Sequence, residues 1–225
     1  MAITATTKAA GERFLAPAGT FVARCYKMVH IGTVQDEFNG ESRWVNKVLI
    51  EWELPTETRV FSPEKGEQPI SVSKEFALSM HPKSTLRAFL TSWRGKGFSD
   101  DEAGAFDVSK LLGVPCQLSI VHEPRKSQPG EYFAKISSVS ALMKGFKAPD
   151  QINPSFAFSL QSFDQSKFDA LPDWLKAKIM TSQEYQSIKS PEIAHRESVK
   201  AAVDSWVDPH EEKYNQDHDD DVLPF

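Results

Sequence analysis

The stretch "TFVARCYKMVHIGT", Thr20–Thr33, alternates between apolar and mixed positions with a period of two residues. This alternation predicts a β-strand that turns one face toward a core. The apolar positions, predicted to face that core, are Phe21, Ala23, Cys25, Val29 and Ile31. Lys27 interrupts the apolar face in mid-strand, so we expect a β-bulge there that re-aims the chain.

A second alternating stretch, "RWVNKVLIEWEL" at 43–54, follows the dipeptide Asn39-Gly40. Because Asn-Gly is a strong hairpin signal, we predict a hairpin of two long strands. The residues on one side of the second strand are Trp44, Val48, Ile50, Trp52 and Leu54. Trp52 alternates with glutamates and is predicted to be buried, whereas Trp44 could lie on either side.

The remaining elements follow from the same two periodicities. "ISVSKEF" at 70–76 is a third strand, and "PCQLSIVHE" at 115–123 and "YFAKISSVSAL" at 132–142 are two more. Between them, "HPKSTLRAFLTSWRG" at 81–95 has a helical apolar stripe, with Pro82 in the first turn and Gly95 at the end. "DVSKLLG" at 107–113 is a short helical turn. The order β-β-β-α-β-β predicts a mainly β fold with accessory helices, a five-stranded OB-fold barrel.

The chain divides into three parts. We predict an OB-fold domain with a flexible N-terminal arm at 1–145, an accessory helical segment at 146–207 and a disordered acidic tail at 208–225. Helices are expected at 171–180, 182–188 and 190–207. The last has an apolar stripe: Val199, Ala202, Val203 and Trp206.

The charge of the chain is unevenly distributed. The 225 residues have a net charge of −5, but 208–225 alone contain seven acids and one base. The body, 1–207, therefore carries +1, which is typical of a near-neutral domain with an acidic interaction tail. Cys25 and Cys116 form no CxxC pair and are expected to be packed thiols in a reducing cytoplasm. No secretory signal or membrane span is expected, so we predict a cytoplasmic protein.

Catalytic motifs are missing from the sequence. There is no phosphate-binding loop, no GxGxxG, no HExxH and no GxSxG. His210 and His218 lie near acids, and Asp219–Asp221 form a carboxylate triplet, but nothing in that segment would hold a metal rigidly. We therefore predict a protein that is not an enzyme and has neither a cofactor nor a metal.

The predicted barrel carries cations and aromatic side chains on its strands and loops. A surface that binds single strands without sequence preference needs cations for phosphates and aromatic faces for bases. The candidate DNA-binding residues are Arg24, Tyr26, His30, Phe38, Arg43, Trp44, Lys47, Lys74, Phe76, Arg125, Lys126, Tyr132 and Lys135. Simpler interpretations remain open, because Tyr26 also suits any strand surface and Arg125 and Lys126 also suit any solvated loop.

The ending "DHDDDVLPF" resembles the acidic tip of bacterial single-stranded DNA-binding proteins, with Val222-Leu223 where one bulky aliphatic residue is usual. The blocks "PAGTFVARCYKMVHIGTV", "VSKEFALSMHPKSTLRAFLTSWRGKGF" and "LPDWLKAKI" are similar to phage-encoded single-stranded DNA-binding proteins, over most of 17–189. The resemblance implies an OB fold that coats single strands in replication, recombination and repair. It also implies a tip that recruits polymerase-, helicase- or nuclease-type proteins.

The partner-binding residues of that tip are Asp219, Asp220, Asp221, Val222, Leu223, Pro224 and Phe225. A terminal Phe offers a ring and a carboxylate to one pocket, and the aspartates steer encounters with basic partners. A homo-oligomer is possible. The alternative function is an acidic-tailed adaptor or DNA mimic that does not itself bind DNA.

Overall fold

The structure, a computed structural model, describes residues 14–38, 40–125, 128 and 130–190. The backbone of Phe38 is included but its side chain is not. The sequence predictions for the arm at 1–13, for the third accessory helix beyond Ser190 and for the acidic tail lie outside these residues.

Five antiparallel strands form one curled sheet. Its order is β3-β2-β1-β4-β5, and the strands are β1 Gly19–Phe38, β2 Glu41–Ser62, β3 Gly66–Ala77, β4 Pro115–Pro124 and β5 Tyr132–Ser140. Helix α1, Thr85–Arg94, lies between β3 and β4 in the chain, as predicted. The sheet is open, because no ladder joins β3 to β5 in the described part of the chain. Across this opening the Lys74 Nζ donates to the Ile136 carbonyl at 3.3 Å.

The predicted bulge at Lys27 is confirmed by a register shift between Cys25 and Lys27, and a second shift follows between His30 and Gly32. The bulge has a consequence that the alternation did not predict. Ala23 and Cys25 enter the core enclosed by the sheet, whereas Val29 and Ile31 pack in a second core on the other side. The single apolar face predicted for β1 is therefore wrong, because each extra residue in a strand inverts the side-chain phase.

The first core lies between the inner side of the sheet and α1. Its buried members from α1 are the predicted stripe, Leu86, Phe89, Leu90 and Trp93. Trp52 is fully buried there, with its ring 5.7 Å from Phe89 and 5.7 Å from Trp93. Gly95 ends the helix at φ 64°, as expected, but the helix begins after Ser84, whose side chain accepts from the Arg87 N–H. Pro82 therefore precedes the helix, and the prediction that it occupies the first turn is wrong.

The second core lies between the outer side of the sheet and the C-terminal part of the described chain. A short strand β6, Phe156–Phe158, pairs in parallel with β1. The helices that follow are α3 Gln165–Asp169, α4 Asp173–Met180 and α5 Gln183–Lys189. Leu160, Phe168, Leu175 and Ile179 of this part pack against Val29 and Ile31 of β1.

Glu184 of α5 fastens this second core to β1. Its carboxylate accepts from the Thr33 N–H at 2.6 Å and from the Thr33 hydroxyl at 2.7 Å. Gly32, at φ +89°, leaves room for this approach, since a Cβ there would lie 2.7 Å from Ser182 Cβ. Two further short elements, α2 Asp100–Gly104 and a 3-10 helix Val108–Leu111, connect α1 to β4.

Candidate nucleic-acid interface

Two of the candidate residues, Lys74 and Phe76, point into the opening of the first core. Phe76 is 4% exposed and its ring lies 4.9 Å from that of Phe89. The Lys74 ammonium lies over both rings, and its burial, followed by the charge of Lys135, lowers its pKa. Phe76 is therefore a member of the first core, and Lys74 is half-buried at the edge of that core. The alternation in "ISVSKEF" contained the signal, because it puts both on the side of Ile70 and Val72.

The side of β1 and β2 that faces away from the first core, called here the outer face, carries Arg24 and Tyr26. Both are half-buried and already bonded within the chain. The Arg24 Nε donates to the Pro149 carbonyl at 2.6 Å and its Nη1 to the Gly113 carbonyl at 2.7 Å. The Tyr26 hydroxyl donates to Glu51 Oε1 at 2.5 Å. Burial and then the Glu51 charge raise the pKa of Tyr26.

A strap of the chain, residues 149–153, crosses the outer face. Besides the Arg24 bond, the fully buried Glu53 holds the strap through its two carboxylate oxygens. They accept from the Ile152 N–H at 2.6 Å and the Asn153 N–H at 2.7 Å. The strap therefore covers the outer face at Arg24 and Glu53, and Tyr26 on the same face is only partly exposed.

Lys47 and His30 lie further along the same two strands, and each has partners. The Lys47 ammonium is 2.8 Å from Asp36 and 3.9 Å from Glu75, and Glu75 also pairs with Lys178 of α4 at 2.6 Å. His30 Nε2 is 2.8 Å from Asn46 Oδ1. His30 also lines a cleft of about 680 Å³ whose other walls include Met80, Phe106 and Ser162. The hydrogen bond from Lys47 lowers the pKa of Asp36, although its burial opposes the shift.

The β1–β2 and β4–β5 hairpins carry the candidate residues that are open to solvent. Trp44 is 51% exposed, beside the exposed Arg43. Tyr132, at the start of β5, is 56% exposed, and the neighbouring Arg125 guanidinium lies 5.7 Å above the Phe133 ring. Lys135 is also exposed but pairs with Glu123 at 2.7 Å. Lys126, the side chain of Phe38 and all seven tip residues lie outside what the structure describes.

Exposed aromatic side chains also occur where the sequence analysis named none. On the β2–β3 hairpin Phe61 is 52% exposed and packs edge-to-face on Phe14, with the Arg59 guanidinium 4.4 Å above the Phe14 ring. Directly after β5, Met143 is 67% and Phe146 is 48% exposed. The signal for the second group was the lysine-flanked aromatic in "MKGFK" at 143–147, which the predicted boundary at residue 145 divided.

Cys25 and Cys116 are buried, and burial raises the pKa of Cys25 to about 12, so this thiol is not an activated nucleophile. No group of three or more metal-ligating side chains occurs within 14–38, 40–125, 128 and 130–190, and His210 and His218 lie outside these ranges. Among the described helices, none has the length and apolar character needed to span a bilayer.

No protein-family model, curated protein or solved structure matches this chain.

Proposed function

We propose that the chain is a non-enzymatic protein that binds single-stranded DNA without sequence preference, and that its curled sheet is an OB-type half-barrel. The supporting observation is topological. The ladder order β3-β2-β1-β4-β5, with α1 between β3 and β4 packed against the inner side of the sheet, is consistent with an OB fold whose end strands β3 and β5 are not joined. OB folds bind oligonucleotides on the sheet and on the loops around it.

The open aromatic residues at the hairpins support the same proposal. Trp44 beside Arg43, and Tyr132 close to Arg125, put an accessible ring beside a cation on two hairpins of one sheet. Stacking on such rings and contacts from such cations to phosphates are the two components of non-specific single-strand binding. Because the strap covers part of the outer face, we place the proposed DNA contacts on the hairpins and not at the centre of the sheet.

In this proposal the protein coats single strands during phage replication and recombination, in the cytoplasm of the host bacterium. Its tip, "DDDVLPF", recruits replication or recombination proteins of the polymerase, helicase or nuclease type. The sequence resemblance supports this part of the proposal, and the near-neutral body with its separate acidic tail is consistent with it.

The test is fluorescence anisotropy of labelled oligo-dT and of a duplex of equal length. It is run with the full chain and with a variant lacking Asp217–Phe225, across a range of salt concentrations. We expect the single strand to bind more tightly, the affinity to fall steeply with salt, and the deletion to tighten binding most at low salt. An acidic-tailed adaptor or DNA mimic would bind neither oligonucleotide, even without its tail.

A further inference from the structure

The loop that follows β5 displays an aromatic ring between two lysines. This MKGFK loop, Met143–Lys147, turns tightly, with the Phe146 N–H donating to the Met143 carbonyl at 3.0 Å and Gly145 at φ +85°. Met143 is the most exposed of the large apolar side chains in the described chain, at 67%, and Phe146 is 48% exposed. Lys144 and Lys147 are exposed as well. An exposed ring flanked by cations is the combination that single-strand binding requires.

The loop is anchored at both ends, so its exposure comes from the fold. On one side Ser140 is still paired with Gln117 of β4. On the other side Ala148 is buried at 9% exposure, and the Pro149 carbonyl accepts from Arg24. Arg24, which the sequence suggested as a DNA contact, thus holds the base of the loop in place.

The charge around this ring differs from that around the other exposed rings. Residues 140–149 contain two lysines and no acid, and Ala141 lies against Gly95, next to the largely exposed Lys96. Lys96 itself has Glu102 at 3.8 Å. By contrast, the hairpin that carries Phe61 also carries Glu57, Glu64 and Glu67. Trp174 directly follows the exposed Asp173, whose carboxylate pairs with Lys176 at 2.8 Å.

We propose that the MKGFK loop is a further contact site for single-stranded DNA. A base stacks on Phe146, Met143 packs against that base or its sugar, and Lys144 and Lys147 contact phosphates. The inference rests on the proposed function and adds to it a site beyond the two hairpins, at the junction of the sheet and the accessory segment.

The test compares Phe146→Ala with Trp174→Ala, a matched control that removes an equally exposed ring at an acidic position. In the full chain, Phe146→Ala is expected to raise the Kd for oligo-dT by about 5- to 150-fold, the cost of one lost stack. Trp174→Ala is expected to leave it unchanged. The double variant Lys144→Gln/Lys147→Gln should reduce the slope of log Kobs against log salt by about 1.4, two single-strand phosphate contacts. Lys83→Gln/Lys110→Gln is its control.

An abasic strand of equal length separates stacking from charge. Phe146→Ala should bind it as the wild type does, whereas the lysine double variant should bind it more weakly. Phe146→Leu, which keeps an apolar side chain at the turn, should resemble Phe146→Ala on oligo-dT and serves if the alanine variant does not fold.

Three outcomes count against the proposal in different ways. If the wild type binds oligo-dT and Phe146→Ala behaves like Trp174→Ala, the loop site is wrong and the proposed function stands. If the wild type does not bind, both are wrong. A change in oligomeric mass with unchanged DNA affinity would make the loop a protein contact and would also overturn the inference.

Discussion

The outer face of β1 and β2 and the exposed loops of the sheet both carry cationic and aromatic side chains. On the outer face these side chains are bonded within the chain, whereas on the loops the rings are open to solvent. On the outer face each cation or ring has an internal partner, as Arg24 has with the Pro149 carbonyl and Tyr26 with Glu51. On the loops, Trp44, Tyr132 and Phe146 keep about half of their surface in solvent. Residue type alone therefore does not separate a structural network from a binding surface. Burial does, since Arg24 and Tyr26 are half-buried whereas Arg43 and Trp44 are exposed.

The largest effect that tests this comparison is expected at Glu53. Replacing Glu53 with Ala removes the acceptor of the Ile152 and Asn153 N–H groups and should detach the strap. We expect the free energy of unfolding to fall by about 3 kcal/mol, measured by urea denaturation. Glu64→Ala, in the exposed β2–β3 turn, is the control and should change stability by less than about 0.5 kcal/mol. A Glu53→Ala protein of unchanged stability would contradict the structural assignment of the outer face.

Tyr132 on the β4–β5 hairpin should contribute to DNA affinity, whereas Tyr26 on the outer face should not. Tyr132→Ala, which removes an open ring, is expected to cost about 1–3 kcal/mol of binding free energy to oligo-dT. Tyr26→Phe loses only the hydroxyl that donates to Glu51, so it should lose about 1 kcal/mol of stability and keep its DNA affinity. Anisotropy and urea titrations measure the two quantities. If Tyr26→Phe weakens DNA binding and Tyr132→Ala does not, the comparison is reversed.

The cations of the two regions should differ in their salt dependence. Lys47→Gln removes a lysine that lies 2.8 Å from Asp36, so the slope of log Kobs against log salt should not change. Arg43→Gln, on the exposed hairpin end, should reduce that slope by about 0.7, one phosphate contact on a single strand. If Lys47→Gln reduces the slope as much as Arg43→Gln does, the ion pairs around Lys47 open when DNA binds.

The smallest effect concerns acid stability at the second core. Burial opposes ionisation of Glu184, but the hydrogen bonds from Thr33 outweigh it and lower the pKa of Glu184 below its ordinary value of 4.5. A lowered folded-state pKa stabilises the fold above the unfolded value, and this stability is lost as pH falls through the folded pKa. Urea titrations between pH 6 and pH 3 should therefore show a shallower loss for Glu184→Gln than for the wild type. An identical pH dependence would mean that Glu184 does not contribute in this way.

Local sequence patterns predicted most of the first core. Alternation placed the strands, Gly40 lies between β1 and β2 as the Asn-Gly signal predicted, and the helical stripe from Leu86 to Trp93 packs as expected. Lys27 even marked the bulge. These features depend on neighbours in sequence, so a single chain is enough to reveal them.

The second core and the strap could not be predicted in the same way. They depend on contacts between residues that are 99 to 151 positions apart in sequence, such as Glu53 with Ile152 and Asn153 or Thr33 with Glu184. The sequence predicted the bulge at Lys27, but it did not indicate which element would cover Val29 on the other side of the sheet. Arg24 and Tyr26 were chosen as DNA contacts because their residue types fit, and the strap that bonds Arg24 is far away in sequence.

The most direct test is photo-crosslinking of the full chain to an oligonucleotide containing bromodeoxyuridine, with the linked peptides mapped by mass spectrometry. We expect single-strand-dependent crosslinks in the peptides that contain Trp44, Tyr132 and Phe146. We expect no crosslink at Tyr26. Crosslinks confined to the Arg24–Lys27 stretch, or none above a duplex control, would contradict this expectation.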